Sequence, residues 1–182
     1  MRSEPFHADI VSIRKQAREN IAKGAITAGY EADQQTVITM LNAALATELV
    51  CYLRYKRHFF MATGKDAQRV ADEFSEHATQ ELQHADTLAA RIVQIGGAPD
   101  FSPEGLIERS HAEYISGNTL QEMIQENLVA ERIAIDSYRK MIQYLGDQDP
   151  TTRRILEEIL AVEEEHADDM AGLLESNSFI PG

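Results

Sequence analysis

Cysteine, tryptophan, glycine and proline are all scarce in this chain of 182 residues. The single cysteine, Cys51, excludes an internal disulfide framework and any Cys-x-x-Cys metal site, and it fits a reducing compartment. Tryptophan is absent, and the ten glycines and five prolines gather at a few places, so long segments contain almost no helix breakers. This distribution predicts an all-α fold.

Basic residues are also few, with 17 Lys and Arg against 30 Asp and Glu and a formal net charge of −13. Residues 1–30 hold five basic and three acidic side chains, and the remaining 152 residues hold 12 and 27. Such an acidic body disfavours broad binding to nucleic acid or anionic membranes and leaves attraction of metal cations open. No apolar run approaches the ~20 residues of a membrane span, and no hydrophobic signal core begins the chain. We therefore expect a cytoplasmic protein without membrane association.

The helix breakers separate four long segments with helical periodicity. Two or three residues join the first segment to the second, and the turn between the third and the fourth is also short, so each pair must be antiparallel. The 23 residues between the second and the third can span a helix of roughly 40 Å. The prediction is a four-helix bundle with one long crossover. The predicted helices cover 33–63, 66–95, 118–145 and 149–175, with a short helix at 103–110 and an amphipathic helix at 9–23. Accordingly, 1–32 is predicted to be an N-terminal extension, 33–176 the bundle and 177–182 a C-terminal tail.

Apolar residues at steps of three and four mark the seam of each helix that faces the bundle axis, and near its middle this seam becomes charged. Glu48 lies 14 residues before Ala62 and Glu81 lies 15 after Asp66, so these two are level across the first turn. The second turn similarly brings two glutamates to one height. We therefore expect one layer formed by the titratable seam residues Glu48, Glu81, His84, Glu131, Glu163 and His166.

Four carboxylates buried together would repel one another, and each would cost several kcal/mol if it stayed unpaired. Two divalent cations would balance the four charges, and neutral imidazoles are suitable further ligands. One Glu from each of two helices and Glu-x-x-His from each of the other two is a di-metal carboxylate arrangement. Mixed oxygen and imidazole ligation suits two iron ions per chain, with manganese as an alternative.

An internal repeat supports this interpretation. Tyr55 follows Glu48 by seven residues, as Tyr138 follows Glu131, and the segment ELQHAD is mirrored by EEEHAD. Each Glu-to-Glu separation is 33 or 32 residues. The repeat indicates a site with pseudo-two-fold symmetry, built from two related hairpins.

The segments TELVCYLRY, ELQHAD, VAERIAIDSY and EEEHAD resemble the bacterioferritins and the bacterioferritin-like members of the Dps group over roughly residues 34–175. The resemblance implies a ferritin-like fold and a ferroxidase that oxidises Fe(II) with O2 or H2O2 and stores ferric mineral in a homo-oligomeric shell. It also implies metal-ligand roles. Glu81 and Glu163 would bridge two irons, Glu48 and Glu131 would be terminal ligands, and His84 and His166 would each bind one iron.

Two departures from the bacterioferritin pattern modify these expectations. Leu82 occupies the position where bacterioferritins carry a haem-binding Met, so we expect no haem. Only 16 residues follow His166, which leaves no room for the fifth helix of 24-subunit cages and favours a 12-subunit shell. Ordinary Dps proteins build their iron site between subunits, whereas the ligands here lie within one chain.

Some seam residues admit two interpretations. Tyr55 is a candidate catalytic residue that hydrogen-bonds a ligand or supplies an electron, or else a core tyrosine. Asn127 is a candidate for supporting a ligand. His77 is either an accessory ligand or a packed core histidine. His58 is expected on the surface, with His7 and His111.

Two other functions remain open at this point. A rubrerythrin-like peroxidase would need an external electron donor, because the chain lacks rubredoxin-like cysteines. A Dps-like shell could protect DNA through the basic residues near the N-terminus. Because the overall charge is negative, however, we do not expect DNA binding.

Overall fold

The computed structural model describes residues 6–65 and 67–176, and within them the protein is helical with no strand. The predicted all-α class is confirmed, and the ends of the four long helices agree with prediction to within two residues. The tail predicted at 177–182 lies outside the described residues, and the division into an extension, a bundle and a tail stays a prediction. The helices are α1 (Ile10–Glu19), α2 (Gln34–Met61), α3 (Ala67–Gln94), α4 (Leu106–Arg109), α5 (Leu120–Leu145) and α6 (Pro150–Ser176), with a 3₁₀ turn at Ile21–Lys23.

Side-chain caps fix where the long helices begin. The Asp33 carboxylate accepts a hydrogen bond of 2.8 Å from the Thr36 amide and starts α2. At α5 the cap is Thr119, which forms a capping box with Glu122, and not the preceding Asn118 as predicted. Both Asn118 and Thr119 can cap a helix. The reciprocal hydrogen bond with Glu122 selects Thr119.

The four long helices pair as two hairpins, α2 along α3 and α5 along α6, and the hairpins join into one bundle. Two apolar clusters fill the bundle, one on each side of its middle. The first includes Leu41, Leu88, Ile92, Leu145 and Leu156, and the second Phe74, Ile124, Met170 and Leu173. On every long helix, the predicted charged residues lie between the parts that enter these two clusters.

Buried polar side chains of α2 hold the long crossover between α3 and α5. Arg54 is 0% exposed and donates to the Glu113 carbonyl at 2.9 Å. His58 is also 0% exposed, and its Nε2 lies 2.8 Å from the Ser116 carbonyl oxygen. The prediction that His58 lies on the surface is therefore wrong. The crossover covers this histidine and offers it a carbonyl, which helical periodicity does not reveal.

Within the described part of the N-terminal extension, residues after α1 pack against the bundle. The amphipathic helix predicted at 9–23 is present as α1 and the following 3₁₀ turn, yet no residue of α1 is buried. Tyr30, farther along the extension, donates to the Asp149 carboxylate at 2.9 Å. Arg91 donates to both oxygens of the same carboxylate, at 2.9 and 3.0 Å. One buried ion pair therefore joins α3, the start of α6 and the extension.

By length and composition alone, α2 could cross a membrane, contrary to the sequence expectation. Half of its most apolar 18-residue stretch is buried inside the protein. A helix that contacts neighbours on several sides in a bundle core carries apolar residues around much of its circumference, so it meets the same criterion.

Candidate metal centre

The six predicted ligand residues meet in one layer across the middle of the bundle, which we call the six-residue layer. Helix α2 supplies one residue, α3 two, α5 one and α6 two. His84 is 8% exposed and the other five are at most 1% exposed. Their ligating atoms form two groups that share Glu81 and Glu163, and within each group these atoms lie within 4.8 Å of one another. The groups are Glu48, Glu81, His84 and Glu163, and Glu81, Glu131, Glu163 and His166.

Each imidazole of the layer directs one nitrogen at three carboxylates. His84 Nδ1 lies 2.9 Å from Glu163 Oε1, 3.3 Å from Glu48 Oε2 and 3.8 Å from Glu81 Oε2. His166 Nδ1 lies 3.5 Å from Glu163 Oε2, 3.6 Å from Glu81 Oε1 and 3.9 Å from Glu131 Oε2. When two ligand atoms bind the same ion, each about 2.0–2.2 Å from it, their distance from each other is similar to the nitrogen-to-oxygen distances given above. The two groups therefore have dimensions that suit one cation each.

Hydrogen bonding leaves much of the layer unsatisfied. Both carboxylate oxygens of Glu81 and of Glu163, together with Glu131 Oε2 and His166 Nδ1, are buried without a hydrogen bond of good geometry. Buried polar atoms are normally paired with a hydrogen-bonding partner. So many unpaired atoms in one place indicate that something other than protein binds them. Carboxylate oxygen with imidazole nitrogen is a donor set that fits Fe(II) or Mn(II).

The pKa values of the layer reflect its excess of negative charge. Burial and the neighbouring Glu81 raise the pKa of Glu48 to about 8, and burial and Glu48 raise the pKa of Glu163 to about 7. Burial lowers the pKa of His84, but hydrogen bonding to Glu163 and Glu48 outweighs it and raises that pKa to about 12. Glu48, Glu163 and His84 thus hold protons strongly. These protons balance the negative charge that bound cations would otherwise balance.

Glu131 behaves differently from the other two glutamates. Burial would raise its pKa, but the neighbouring His166 imidazole and the hydrogen bond from Tyr55 outweigh burial and lower the pKa to about 2. Tyr55 donates to Glu131 Oε1 at 2.5 Å. This carboxylate is therefore ionised at neutral pH and acts only as an acceptor.

Tyr55 and Tyr138 each donate a hydrogen bond across the bundle. Sequence analysis placed Tyr55 two turns from Glu48 on the same helix, whereas the structure places its hydroxyl against Glu131 on α5. Tyr138, on α5, donates in turn to Glu48 on α2. Tyr138 was not selected as a site residue from the sequence, although the internal repeat that pairs it with Tyr55 was a signal for it.

Gln80 is a second contact that the sequence did not reveal. Its Oε1 lies 2.8 Å from His166 Nε2, so it accepts the proton of that nitrogen. The remaining nitrogen, Nδ1, faces the carboxylates, and it would become a ligand nitrogen when a cation displaces its proton.

The other residues with two interpretations lie near the layer. His77 is 2% exposed, stacks on His166 with ring centres 4.0 Å apart, and places Nδ1 3.2 Å from the Tyr55 hydroxyl. Asn127 accepts a 2.9 Å hydrogen bond from Arg54 and contacts none of the six residues by hydrogen bonding. Cys51 is a buried free thiol. Leu82 is 39% exposed and faces away from the layer.

Comparison with known proteins gives one family and two named groups of relatives. A family model for the ferritin-like domain matches residues 38–178. Bacterioferritin from Mycobacterium avium is 29% identical over 140 residues, covering 76% of this chain and 84% of the relative. A nutrient stress-induced DNA-binding protein from Synechococcus sp. is 30% identical over 143 residues, covering 76% of this chain and 80% of that protein.

One solved structure is also similar to this chain in fold and sequence. The bacterioferritin-related protein from Bacteroides fragilis, described as a dodecameric thioferritin, superposes with a TM-score of 0.78 at 32% identity. The match covers 81% of this chain and 89% of that one.

Proposed function

The chain belongs to the ferritin-like domain family, and from that membership we propose that it is a ferroxidase that stores iron. In this proposal Fe(II) is the substrate, O2 or H2O2 is the oxidant, and the six-residue layer within a single chain is the site of oxidation. Ferric mineral accumulates inside a homo-oligomeric shell. The resemblance to bacterioferritins and to the Dps group that the sequence suggested is confirmed by these relatives.

The observation that carries the proposal is the pair of ligand groups that share Glu81 and Glu163. Shared carboxylates hold two Fe(II) side by side, and two-metal sites of this kind keep the ions about 3.5–4 Å apart. Each Fe(II) gives up one electron, and one H2O2 takes up both electrons with two protons to become two waters. With O2 as oxidant, the same two electrons and two protons give one H2O2.

The surrounding side chains have defined tasks in this proposal. Tyr138 and Tyr55 hold Glu48 and Glu131 in place by hydrogen bonds. Gln80 sets the tautomer of His166. Burial excludes bulk water, which strengthens the attraction between the carboxylates and the incoming cations. The net charge of −13 attracts Fe(II) to the protein over a longer range.

A 12-subunit shell without haem is the assembly that we propose. The Bacteroides fragilis relative is described as dodecameric, which supports the sequence expectation of 12 subunits over 24. Leu82 lacks the thioether that would ligate haem iron, which supports a shell without haem.

Stopped-flow measurement of Fe(II) oxidation tests the proposal. We expect rapid oxidation with a stoichiometry near two irons per chain. The variant Glu81→Ala/His84→Ala should lose this phase while its circular dichroism stays helical, because both residues belong to one ligand group. The variant Glu165→Ala/His7→Ala removes the same residue types from exposed positions and should oxidise at the wild-type rate. Unchanged rates in Glu81→Ala/His84→Ala would exclude this site.

Size-exclusion mass combined with iron loading separates storage from the alternatives. A large hollow particle that retains many irons per chain indicates storage, whereas turnover of H2O2 that depends on an added electron donor indicates a rubrerythrin-like peroxidase. The DNA-binding name of the Synechococcus relative makes a DNA-protecting shell the other candidate. Salt-dependent retardation of DNA, with no oxidation of Fe(II), would favour it.

A further inference from the structure

Beside the six-residue layer lies a second cluster of possible ligands, formed by Glu73 and His77 of α3 and Asp169 of α6. His77 Nε2 lies 3.3 Å from Asp169 Oδ2 and 3.9 Å from Glu73 Oε1. One ligating atom from each of the three residues lies within 4.8 Å of the other two. The side chain of His77 is 2% exposed, whereas those of Glu73 and Asp169 are 31% and 50% exposed. This cluster therefore opens to solvent, unlike the layer.

Hydrogen-bond accounting identifies the nitrogen of His77 that carries the proton. The single proton of the Tyr55 hydroxyl goes to Glu131. The 3.2 Å contact between His77 Nδ1 and this hydroxyl must then be donated by the imidazole. With its one proton on Nδ1, a neutral His77 presents the lone pair of Nε2 to two carboxylates.

Three acceptors that face one another are repulsive unless something positive lies between them. His166 in the layer similarly directs one ring nitrogen, Nδ1, at carboxylate oxygens. In each ring the other nitrogen contacts a neighbouring side chain, Tyr55 for His77 and Gln80 for His166, and the two rings stack with their centres 4.0 Å apart. The case for a cation at His77 therefore rests on the direction of a buried imidazole nitrogen as well as on the two nearby acids.

We propose that Glu73, His77 and Asp169 bind a third divalent cation of the Fe(II), Co(II) or Zn(II) class. One imidazole nitrogen and two carboxylates occupy one side of the ion, and water completes its coordination from the exposed side. The stacked rings of His77 and His166 would separate this ion from the buried layer. Its use as a first binding point for Fe(II) on the way to the layer rests on the proposed function, whereas the binding site itself does not.

Zinc provides a direct test, because its anomalous scattering locates it and it does not change oxidation state. Crystals of the wild-type protein soaked in zinc chloride should show a peak about 2.0–2.1 Å from His77 Nε2, besides two peaks in the layer. Peaks in the layer with none at His77 would overturn the third site and leave the proposed function standing. A peak at His77 with an empty layer would support the third site and count against the proposed function. Absence of all peaks would overturn both.

A pair of matched variants tests the carboxylates. Glu73→Gln/Asp169→Asn keeps the size of both side chains and leaves the packing of His77 intact, so the variant should fold. We expect Co(II) retained after gel filtration to fall from three to two ions per chain. The control Glu76→Gln/Asp168→Asn changes the charge equally at exposed neighbouring positions and should retain three. Three ions in Glu73→Gln/Asp169→Asn, or two in the control, would overturn the proposal.

Discussion

The Tyr55 hydroxyl on α2 donates to Glu131 on α5 and not to Glu48 on its own helix. Tyr138 on α5 makes the reciprocal bond to Glu48 on α2. The orientation of each of these glutamates therefore depends on a residue of the other hairpin. The two hairpins are thereby joined at the layer by a pair of crossed hydrogen bonds, related by the pseudo-two-fold symmetry of the repeat.

Removing the hydroxyl of Tyr55 or of Tyr138 should weaken cation binding by one ligand group and leave binding by the other group unchanged. Glu48 belongs to the ligand group with His84, and Glu131 belongs to the group with His166. Loss of a side chain that orients a ligand typically lowers metal affinity about 10–100-fold. We expect Tyr138→Phe to weaken the group of Glu48 and Tyr55→Phe the group of Glu131, each by about tenfold or more. Co(II) titration followed by its visible absorption measures both steps.

Tyr52→Phe is the matched control for these variants. Tyr52 lies on α2, is only partly buried, and is not part of either ligand group. Its removal should leave both Co(II) binding steps unchanged. If Tyr55→Phe weakened both steps equally, the crossed arrangement would not separate the two groups as we infer.

Cation binding should stabilise the fold, and neutralising the layer should remove the part of that effect that the layer supplies. A ligand at 100 times its dissociation constant stabilises the folded state by about 2.7 kcal/mol. We expect the melting temperature of the wild-type protein to rise when Zn(II) is added to metal-free protein. In Glu81→Gln/Glu163→Gln the part of the gain that comes from the layer should vanish, leaving only the part that comes from the cluster of Glu73, His77 and Asp169. The metal-free variant should melt no lower than the metal-free wild type, because the amides remove repulsion among the buried carboxylates.

Melting followed by circular dichroism, with and without a chelator, measures this difference. Glu157→Gln/Glu158→Gln changes the same number of glutamates on the outer face of α6 and should keep the full zinc effect. A metal-free Glu81→Gln/Glu163→Gln protein that melts far below the wild type would contradict the view that the layer is electrostatically strained without cations.

Much of the fold and of the candidate site was predictable because both depend on local patterns. Gly64, Gly96 and Gly146 interrupt otherwise continuous helical periodicity, so the helix ends follow from backbone preferences alone. The layer was predictable because a glutamate on an apolar seam conflicts with the pattern around it. Counting residues from each turn was then enough to show that the conflicting residues are level.

Contacts made by the crossover were not predictable in the same way. Arg54 and His58 are buried because residues 113–116 cover them and supply carbonyl oxygens. Periodicity describes one helix at a time and does not indicate where an irregular segment will lie. The apolar side of α1 shows the converse, because amphipathicity predicts a face but not a partner, and none of its residues is buried.

Arg54 should contribute strongly to stability through the crossover. It donates to the Asn127 side chain and to the Glu113 carbonyl, both at 2.9 Å. Arg54→Met keeps the aliphatic stem but leaves both acceptors without their donor, at a cost of about 1–3 kcal/mol each. We expect urea denaturation to show a loss of about 2–6 kcal/mol in the free energy of unfolding. Arg132→Met, at an exposed position of α5, should change it by less than about 0.5 kcal/mol.

His58 should make the protein less stable in mild acid. Burial lowers the pKa of His58 to about 4, from 6.5 in the unfolded chain. Above pH 6.5 neither state is protonated, so this histidine adds no pH dependence. As the pH falls from 6.5 to 4, the unfolded chain binds a proton that the folded protein does not, and the free energy of unfolding decreases.

Comparing His58→Gln with the wild type isolates this contribution. The free energy of unfolding of the wild type, measured with urea at pH 7 and pH 5, should fall more between the two values than that of the variant. Part of the slope should remain in the variant, because burial also lowers the pKa of His77 to about 4. An identical fall in both proteins would mean that His58 takes up its proton equally well in the folded and unfolded states, contrary to its burial beneath the crossover.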